Sequence, residues 1–271
     1  MLAESFAGFE SFVARASFCV PPPEHQAAVR YRQVGGLCKR TRQNKIENYI
    51  QIDRVEKLKQ IERISFMQKV YLIRHAESLS NIGEKCMDAY SSELSELGKK
   101  QALEIPSFFS EPIRCIVYSK MVRAKLTAEE TIKQFPSSII KPLEIQEFVY
   151  LSKDNYTNTT ANERKIIKND YWKNNNPYYK TSENSESFCD FLTRIETFIK
   201  EIALTNIFPV AVFTHKYFIK GIIWYNLSRK EKNYFNPIEF KKFCDSFQIE
   251  TAEIIPSILV EDVLFLGKTL N

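Results

Sequence analysis

The stretch that decides the fold is residues 70–78, which read Val-Tyr-Leu-Ile-Arg-His-Ala-Glu-Ser. The four apolar residues at 70–73 are typical of a short parallel strand that is buried on both faces. Arg74 and His75 follow this strand directly. Because ligands bind at the carboxyl ends of the strands in an open α/β sheet, we expect both side chains to lie in a crevice at that edge of the sheet.

Two further segments repeat this pattern of a strand followed by a basic side chain. The apolar run at 210–213 is followed closely by His215, and the run at 113–118 leads to a helix with Arg123 in its first turn. A helix N-terminus beside a guanidinium group is a natural oxyanion site. Together with the pair after the first strand, these residues predict a cationic pocket.

The rest of the chain from residue 67 alternates strands with helices. This alternation predicts an α/β three-layer sandwich, with a mostly parallel central sheet flanked by helices. Residues 151–186 differ, since they are polar, rich in Asn and carry several Tyr and Trp residues; we expect them to lie over the sheet as an insertion. Strands are predicted at 70–73, 113–118, 139–140 and 210–213, and helices at 95–109, 121–134, 187–202 and 217–227.

Composition divides the chain near residue 66. Residues 1–66 are expected to form an N-terminal extension, largely irregular, with one amphipathic helix at 45–64 that docks on the main body or on a partner. Residues 67–271 are expected to form one complete domain. We hypothesise that Met67 is the natural start, because the composition changes there and a full domain follows.

Composition and charge exclude several classes of protein. With 44% hydrophobic and 26% charged residues in 271, the chain is neither disordered nor fibrous. No run approaches the ~18 apolar residues of a membrane span. Six separated Cys and three His predict no metal centre and reduced thiols in a cytoplasmic compartment. Residues 1–66 carry four of the five net positive charges, too few to indicate a nucleic-acid partner.

In these motifs and their spacing, residues 67–271 resemble members of the histidine phosphatase superfamily, which is also called phosphoglycerate mutase-like. Ala76 stands where most members have Gly, and Lys216 and Tyr217 follow the second His where many members have small residues. The order of six boxes makes the resemblance specific. They are the Arg-His box at 74–78 with Asn81 six positions after the His, Leu-Ser-Glu-Leu-Gly-Lys-Lys-Gln-Ala at 94–102, the Ser-to-Ala box at 119–128, the acidic box at 145–147, Ser-Glu-Ser at 185–187 and Thr-His at 214–215.

The resemblance implies a role for each site residue. His75 is the expected nucleophile, and Arg74, Arg123 and His215 are expected to hold the phosphoryl oxygens with a further hydrogen bond from Asn81. Glu147 is the expected proton donor, with Glu144 as the alternative because the acidic box is the loosest match. Glu77 is expected to orient its neighbours. No metal and no cofactor is expected.

The cations suit the chemistry, because a phosphoryl group carries about −1.5 to −2 charge near neutral pH. The resemblance therefore implies a phosphoric monoester hydrolase like the histidine acid phosphatases, acting on a phosphorylated small molecule or on a phosphoprotein. Two alternatives stay open: a cofactor-dependent phosphoglycerate mutase, and a catalytically silent phosphate-binding module with a regulatory role. The aromatic and Asn residues of 151–186 either recognise the substrate or form a structural cap. The sequence does not specify the substrate or the oligomeric state.

Overall fold

The computed structural model of the protein describes residues 68–270. The expectations for the extension at 1–66, for its helix at 45–64 and for a start at Met67 fall outside the described residues. The four cysteines in the described part are free thiols.

One six-stranded sheet forms the centre of the described part, in the order β3-β2-β4-β1-β5-β6. The first four of these strands run parallel to one another, whereas β5 and β6 are antiparallel additions at one edge. The predicted fold class is confirmed. The strands are β1 (Gln68–Arg74), β2 (Cys115–Ser119), β3 (Ile139–Leu143), β4 (Val210–Thr214), β5 (Ile254–Val260) and β6 (Val263–Leu266).

The helices connect these strands, and the predicted ones are present within a few residues of their expected bounds. Ser95 caps the first helix through its hydroxyl, which accepts a bond from Gly98 N. A short 3-10 turn containing Pro106 ends that helix. The helices are α1 (Glu96–Glu104), α2 (Val122–Gln134), α3 (Lys153–Tyr156), α4 (Lys165–Lys173), α5 (Phe188–Leu204), α6 (Lys216–Ser228) and α7 (Pro237–Asp245).

Helix α7 and strands β5 and β6 were not predicted. The sequence of β5 contains Pro256, and a proline normally argues against a strand that has neighbours on both sides. Here Pro256 lies opposite Tyr71 of β1, and its carbonyl accepts a bond from Gly267 N. The strand therefore keeps its place between β1 and β6 although one residue in it has no N–H to donate.

Residues 151–186 lie outside the sheet, as expected for an insertion, and pack through their aromatic side chains. Tyr171 stacks on Tyr150 with ring centroids 4.4 Å apart, and the Trp172 indole donates to the Tyr150 hydroxyl at 3.3 Å. Tyr171 and Trp172 both belong to the main hydrophobic core, which continues through Phe148 to the apolar face of α5. Tyr171 and Trp172 thus act as a structural cap, whereas Tyr178 is exposed.

Candidate active site

The carboxyl ends of the four parallel strands bring the predicted site residues to one side of the sheet. Strand β1 ends at Arg74 with His75 next, and β4 is followed by His215 at the start of α6. Strand β2 leads into α2, whose second residue is Arg123, and Glu147 follows β3 after a short loop. Each strand therefore supplies one part of a shared site, as the strand-end pattern indicates.

A cavity of about 280 Å³ opens at these strand ends. Five of the predicted residues line it: Arg74, His75, Asn81, Arg123 and Glu147. His215 lies beside His75 but is fully buried and is not part of the cavity wall, and Glu144 is also absent from the wall.

The two ring nitrogens of His75 have partners that fix its tautomer. Nδ1 lies 2.7 Å from the carbonyl oxygen of Ala76, which can only accept, and Nε2 lies 3.2 Å from Nε of Arg123, which can only donate. The proton therefore resides on Nδ1, and Nε2 carries the lone pair. Burial, reinforced by the charges of Arg123 and Arg74, holds the pKa of His75 well below its usual value, so the ring is neutral at physiological pH.

The second imidazole is held close to the first. The rings of His75 and His215 have centroids 5.1 Å apart with their planes at 56°. His215 Nε2 lies 2.8 Å from the Ser119 hydroxyl, whereas its Nδ1 is buried and has no partner among the described residues. Burial and then Arg123 keep the pKa of His215 well below its usual value, so this ring is neutral too.

The two arginines are fixed by backbone carbonyls. Arg123 donates from Nη1 to Ala89 O at 2.9 Å, and Arg74 donates from Nη1 to Ile249 O at 2.6 Å. Between residues 68 and 270 neither guanidinium forms an ion pair with a carboxylate, so both charges remain available to an anion. Asn81 uses its side-chain oxygen to accept two bonds from Ser78, which leaves its amide N–H groups as donors.

The two candidate proton donors lie in different surroundings. Glu147 accepts bonds through Oε1 from Tyr217 N at 2.9 Å and Phe148 N at 3.2 Å. Burial raises the pKa of Glu147, with Arg123 and these backbone donors opposing the rise. Glu144 is exposed and paired with Lys120 outside the cavity. The geometry thus favours Glu147 over Glu144.

Motif residues outside the cavity hold the loop that carries His75 in place. The Thr127 hydroxyl accepts a bond from Ala76 N at 3.0 Å and donates to Arg123 O at 2.6 Å, which ties the loop to α2. Glu77 accepts from the Ser95 hydroxyl and does not line the cavity, in agreement with an orienting role. A Cβ atom on Gly98 would lie 1.9 Å from the Glu77 carbonyl oxygen, so only glycine lets α1 approach this closely.

A buried ion pair anchors the segment that carries Glu147. Arg194 binds Glu186 through two bonds of 2.8 and 2.7 Å and donates to Gln146 O at 2.7 Å. Glu186 also accepts a backbone bond from Val149 N. The Ser-Glu-Ser box thus positions the acidic box through this pair.

Sequence reasoning did not find Arg164 and Lys168, two cations of residues 151–186 that line the cavity. Tyr156, one of the aromatic residues to which the sequence leaves either a substrate or a structural role, lines the cavity too, and so does Lys216, which bonds to Gln248. The available signal was the spacing of Arg164 and Lys168, since two cations four residues apart share one face of a helix.

A family model matches most of the described part of the chain. Residues 70–244 match the model of the histidine phosphatase superfamily, branch 1. The protein therefore belongs to the histidine phosphatase superfamily, which supports a phosphatase or mutase type of enzyme. No curated protein sequence matches the chain.

Solved structures of similar fold include three phosphatases. A phosphoserine phosphatase variant from Entamoeba histolytica with bound phosphoserine has a TM-score of 0.58 at 20% identity, over 76% of this chain and 98% of that one. The α-ribazole phosphatase of Shigella flexneri gives 0.58 at 17%, over 75% and 96%. A mycobacterial glucosyl-3-phosphoglycerate phosphatase in complex with VO3 gives 0.54 at 16%, over 73% and 96%. At these identities the likeness concerns the fold.

Two kinds of feature are absent from residues 68–270: a helix that could cross a membrane and a cluster of side chains that could hold a metal ion. No helix there has the length and apolar character needed to cross a membrane. No group of three or more His, Cys, Asp and Glu side chains in the same range is arranged to hold a metal ion.

Proposed function

We propose that the protein is a phosphomonoester hydrolase that works through a covalent phosphohistidine at His75 and acts on a phosphorylated small molecule. The observation that carries this proposal is the state of His75, a neutral imidazole with its lone pair on Nε2 in a cavity that also contains Glu147. Membership of the superfamily supports phosphatase chemistry. The phosphoserine bound to one structural neighbour supports a small substrate.

In the first step Nε2 of His75 attacks phosphorus, and the bond from phosphorus to the ester oxygen breaks. The Arg123 Nε–H, which donates to Nε2 in the free protein, transfers its bond to a phosphoryl oxygen. Glu147 gives a proton to the departing oxygen and itself becomes a carboxylate. The alcohol therefore departs as a neutral molecule. Because Oε1 already accepts two N–H bonds, the proton is carried on Oε2.

In the second step the Glu147 carboxylate takes a proton from water while the water oxygen attacks phosphorus. The bond from Nε2 to phosphorus breaks, inorganic phosphate leaves, and Glu147 is protonated again. Splitting the reaction in this way replaces one difficult displacement by two easier ones.

Charge stabilisation comes from groups that are already in position. The guanidinium groups of Arg74 and Arg123 face a phosphoryl group whose equatorial oxygens gather charge in the transition state. Asn81 adds amide N–H donors. His215, with an unpartnered Nδ1 next to the His75 ring, donates to a phosphoryl oxygen once the phosphoryl group is bound to His75.

Trapping the covalent intermediate tests the proposal. The full chain is mixed with 4-nitrophenyl [³²P]phosphate, quenched in base and examined for acid-labile label. We expect label and turnover in the wild type, and loss of both in His75→Ala. Turnover that persists in His75→Ala would contradict the assignment. A labelled protein that passes phosphate to an added alcohol rather than to water would identify a mutase instead.

A further inference from the structure

We infer that the cavity contains a second anion subsite, formed by Arg164 and Lys168, so that the substrate is a phosphomonoester with a carboxylate elsewhere in the molecule. This inference rests on the proposed function, because it concerns the same cavity. It assigns a recognition role to two residues of the 151–186 segment that the catalytic steps do not use.

Arg164 is a buried cation with only part of its guanidinium satisfied. It is 2% exposed, and Nη1 donates to the carbonyl and the hydroxyl of Thr159 at 2.6 and 2.9 Å. Nε is buried and has no partner among the described residues, and Nη2 makes only a weak contact of 3.9 Å to the Cys86 sulfur there. Nη1 thus accounts for the structural role of the side chain. The Nε and Nη2 edge is left for a ligand, and this edge matches the two oxygens of a carboxylate.

Lys168 adds a second positive charge on the same side of the cavity. It lies four residues after Arg164, so both side chains share one face at the start of α4. Lys168 is half-buried and lines the cavity, and its ammonium group has neither a hydrogen bond nor an ion pair within residues 68–270. Burial, and then the nearby Arg164, lower the pKa of Lys168, and the negative charge of a bound anion opposes this lowering.

Tyr156 links this subsite to the catalytic arginine. The Arg164 guanidinium lies over the Tyr156 ring, 4.7 Å from its centroid. Burial raises the pKa of Tyr156 to about 12, with Arg164 and Arg123 opposing the rise. The phenol therefore keeps its proton. Arg123, Tyr156 and Arg164 line the same cavity, so one small molecule can contact both subsites.

The charges around the cavity exceed what one phosphoryl group needs. Among the described residues, five cationic side chains line it against one ionised carboxylate, Asp88, because Glu147 holds the proton that it passes to the leaving group, which gives a net of four positive charges. A phosphomonoester brings at most two negative charges, so two positive charges remain uncompensated. A carboxylate on the substrate supplies one of the missing charges, and a cavity of about 280 Å³ suits a molecule of metabolite size.

The test compares two substrates that differ in one group. 3-Phosphoglycerate and glycerol 3-phosphate have the same chain length, but the first carries a carboxylate where the second has a hydroxymethyl group. With the full chain we expect kcat/KM for phosphate release to be about 10- to 100-fold higher for 3-phosphoglycerate, as expected for charge-assisted hydrogen bonds. In Lys168→Gln and Arg164→Gln this ratio should fall at least several-fold, because kcat/KM for 3-phosphoglycerate should decrease more than kcat/KM for glycerol 3-phosphate.

The matched control is Lys165→Gln, since Lys165 lies on the same helix but is exposed and outside the cavity wall. It should keep the wild-type ratio. If 4-nitrophenyl phosphate is hydrolysed but the wild type treats the two substrates alike, the subsite is refuted and the proposed function stands. If nothing is hydrolysed, calorimetric binding of the two compounds decides: tighter binding of 3-phosphoglycerate that is lost in Lys168→Gln supports the subsite, and equal binding refutes it.

Discussion

The cavity has two walls, and the chain builds them in different ways. The strand-end wall (Arg74, His75, Arg123 and Glu147) follows the parallel strands directly and is fixed by the sheet; for example, His75 N donates to Thr214 O at 2.9 Å. The helical wall (Tyr156, Arg164 and Lys168) comes from short helices that lie outside the sheet. It is joined to the loop before α1 by the pairing of Cys86 with Thr159.

This difference separates the residues proposed to carry out the reaction from the residues proposed to select the substrate. Groups that make and break bonds must hold their positions closely, and the ends of sheet strands give that rigidity. Groups that recognise the remote part of a substrate tolerate more variation, so a segment outside the sheet can carry them. Substitutions on the strand-end wall should therefore slow all substrates alike, whereas substitutions on the helical wall should change the preference among substrates.

The largest expected effect is on the proton donor of the strand-end wall. Glu147→Gln removes the transferable proton and should lower kcat by roughly 10²–10⁴-fold for a substrate with a poor leaving group. The matched variant Glu144→Gln, on the same segment but outside the cavity, should stay within about twofold. Steady-state kinetics on glycerol 3-phosphate measure both. A large loss in Glu144→Gln with little change in Glu147→Gln would transfer the role.

Acid should destabilise the region of the strand-end wall in particular, because His75 lies in that wall and His215, the other described histidine, packs beside it. The pKa values of His75 and His215 are depressed in the folded state, so the unfolded chain takes up protons near pH 6.5 before the folded one does, and stability falls as pH falls. Between pH 7.5 and 5.5 each buried imidazole should lower the free energy of unfolding by an amount on the order of 1 kcal/mol. The raised pKa of Glu147 acts in the opposite direction and offsets part of this loss.

Comparing the wild type with His215→Gln isolates the contribution of the His215 ring to the free energy of unfolding. The loss of unfolding free energy between pH 7.5 and 5.5, from urea denaturation, should be smaller in His215→Gln than in the wild type, by an amount on the order of 1 kcal/mol. An identical loss in both proteins would mean that His215 titrates normally in the folded state.

A smaller effect is expected from the hydroxyl that orients His215. Ser119 Oγ accepts a weak bond from Met121 N, so its proton is free to go to His215 Nε2, which leaves the imidazole proton on Nδ1. Ser119→Ala should lower kcat about tenfold, equivalent to one hydrogen bond of roughly 1.4 kcal/mol. The decrease should be equal for 3-phosphoglycerate and glycerol 3-phosphate. An unequal decrease would show that the strand-end wall also selects the substrate.

No effect on catalysis is expected from the extension. The described side chains that line the cavity lie between residues 74 and 217, and we expect a chain that begins at Met67 to keep kcat/KM for 4-nitrophenyl phosphate within about twofold. Circular dichroism checks its folding. An inactive or unfolded product would make residues 1–66 an integral part of the domain.

The strand-end wall could be predicted from the sequence because its rule is local. A buried apolar run followed by a charged residue specifies both the strand and the edge at which the side chain emerges, and this holds for His75 and His215. The helical wall has no such rule: α3 and α4 are short, and whether Arg164 faces the cavity depends on the packing of Tyr171 and Trp172 against the core. Strand β5 was missed because a proline in its sequence argues against an interior strand.

Gly98 does not line the cavity, yet its lack of a side chain determines how near α1 can come to the peptide of Glu77, two residues beyond His75, the proposed nucleophile. Any bulkier residue there forces either the helix or that peptide to move, and the imidazole moves with the peptide. A substitution at Gly98 is therefore tolerated only if Nε2 of His75, the nitrogen proposed to react, keeps its position. A residue that never meets the substrate is thus held as strictly as one that does.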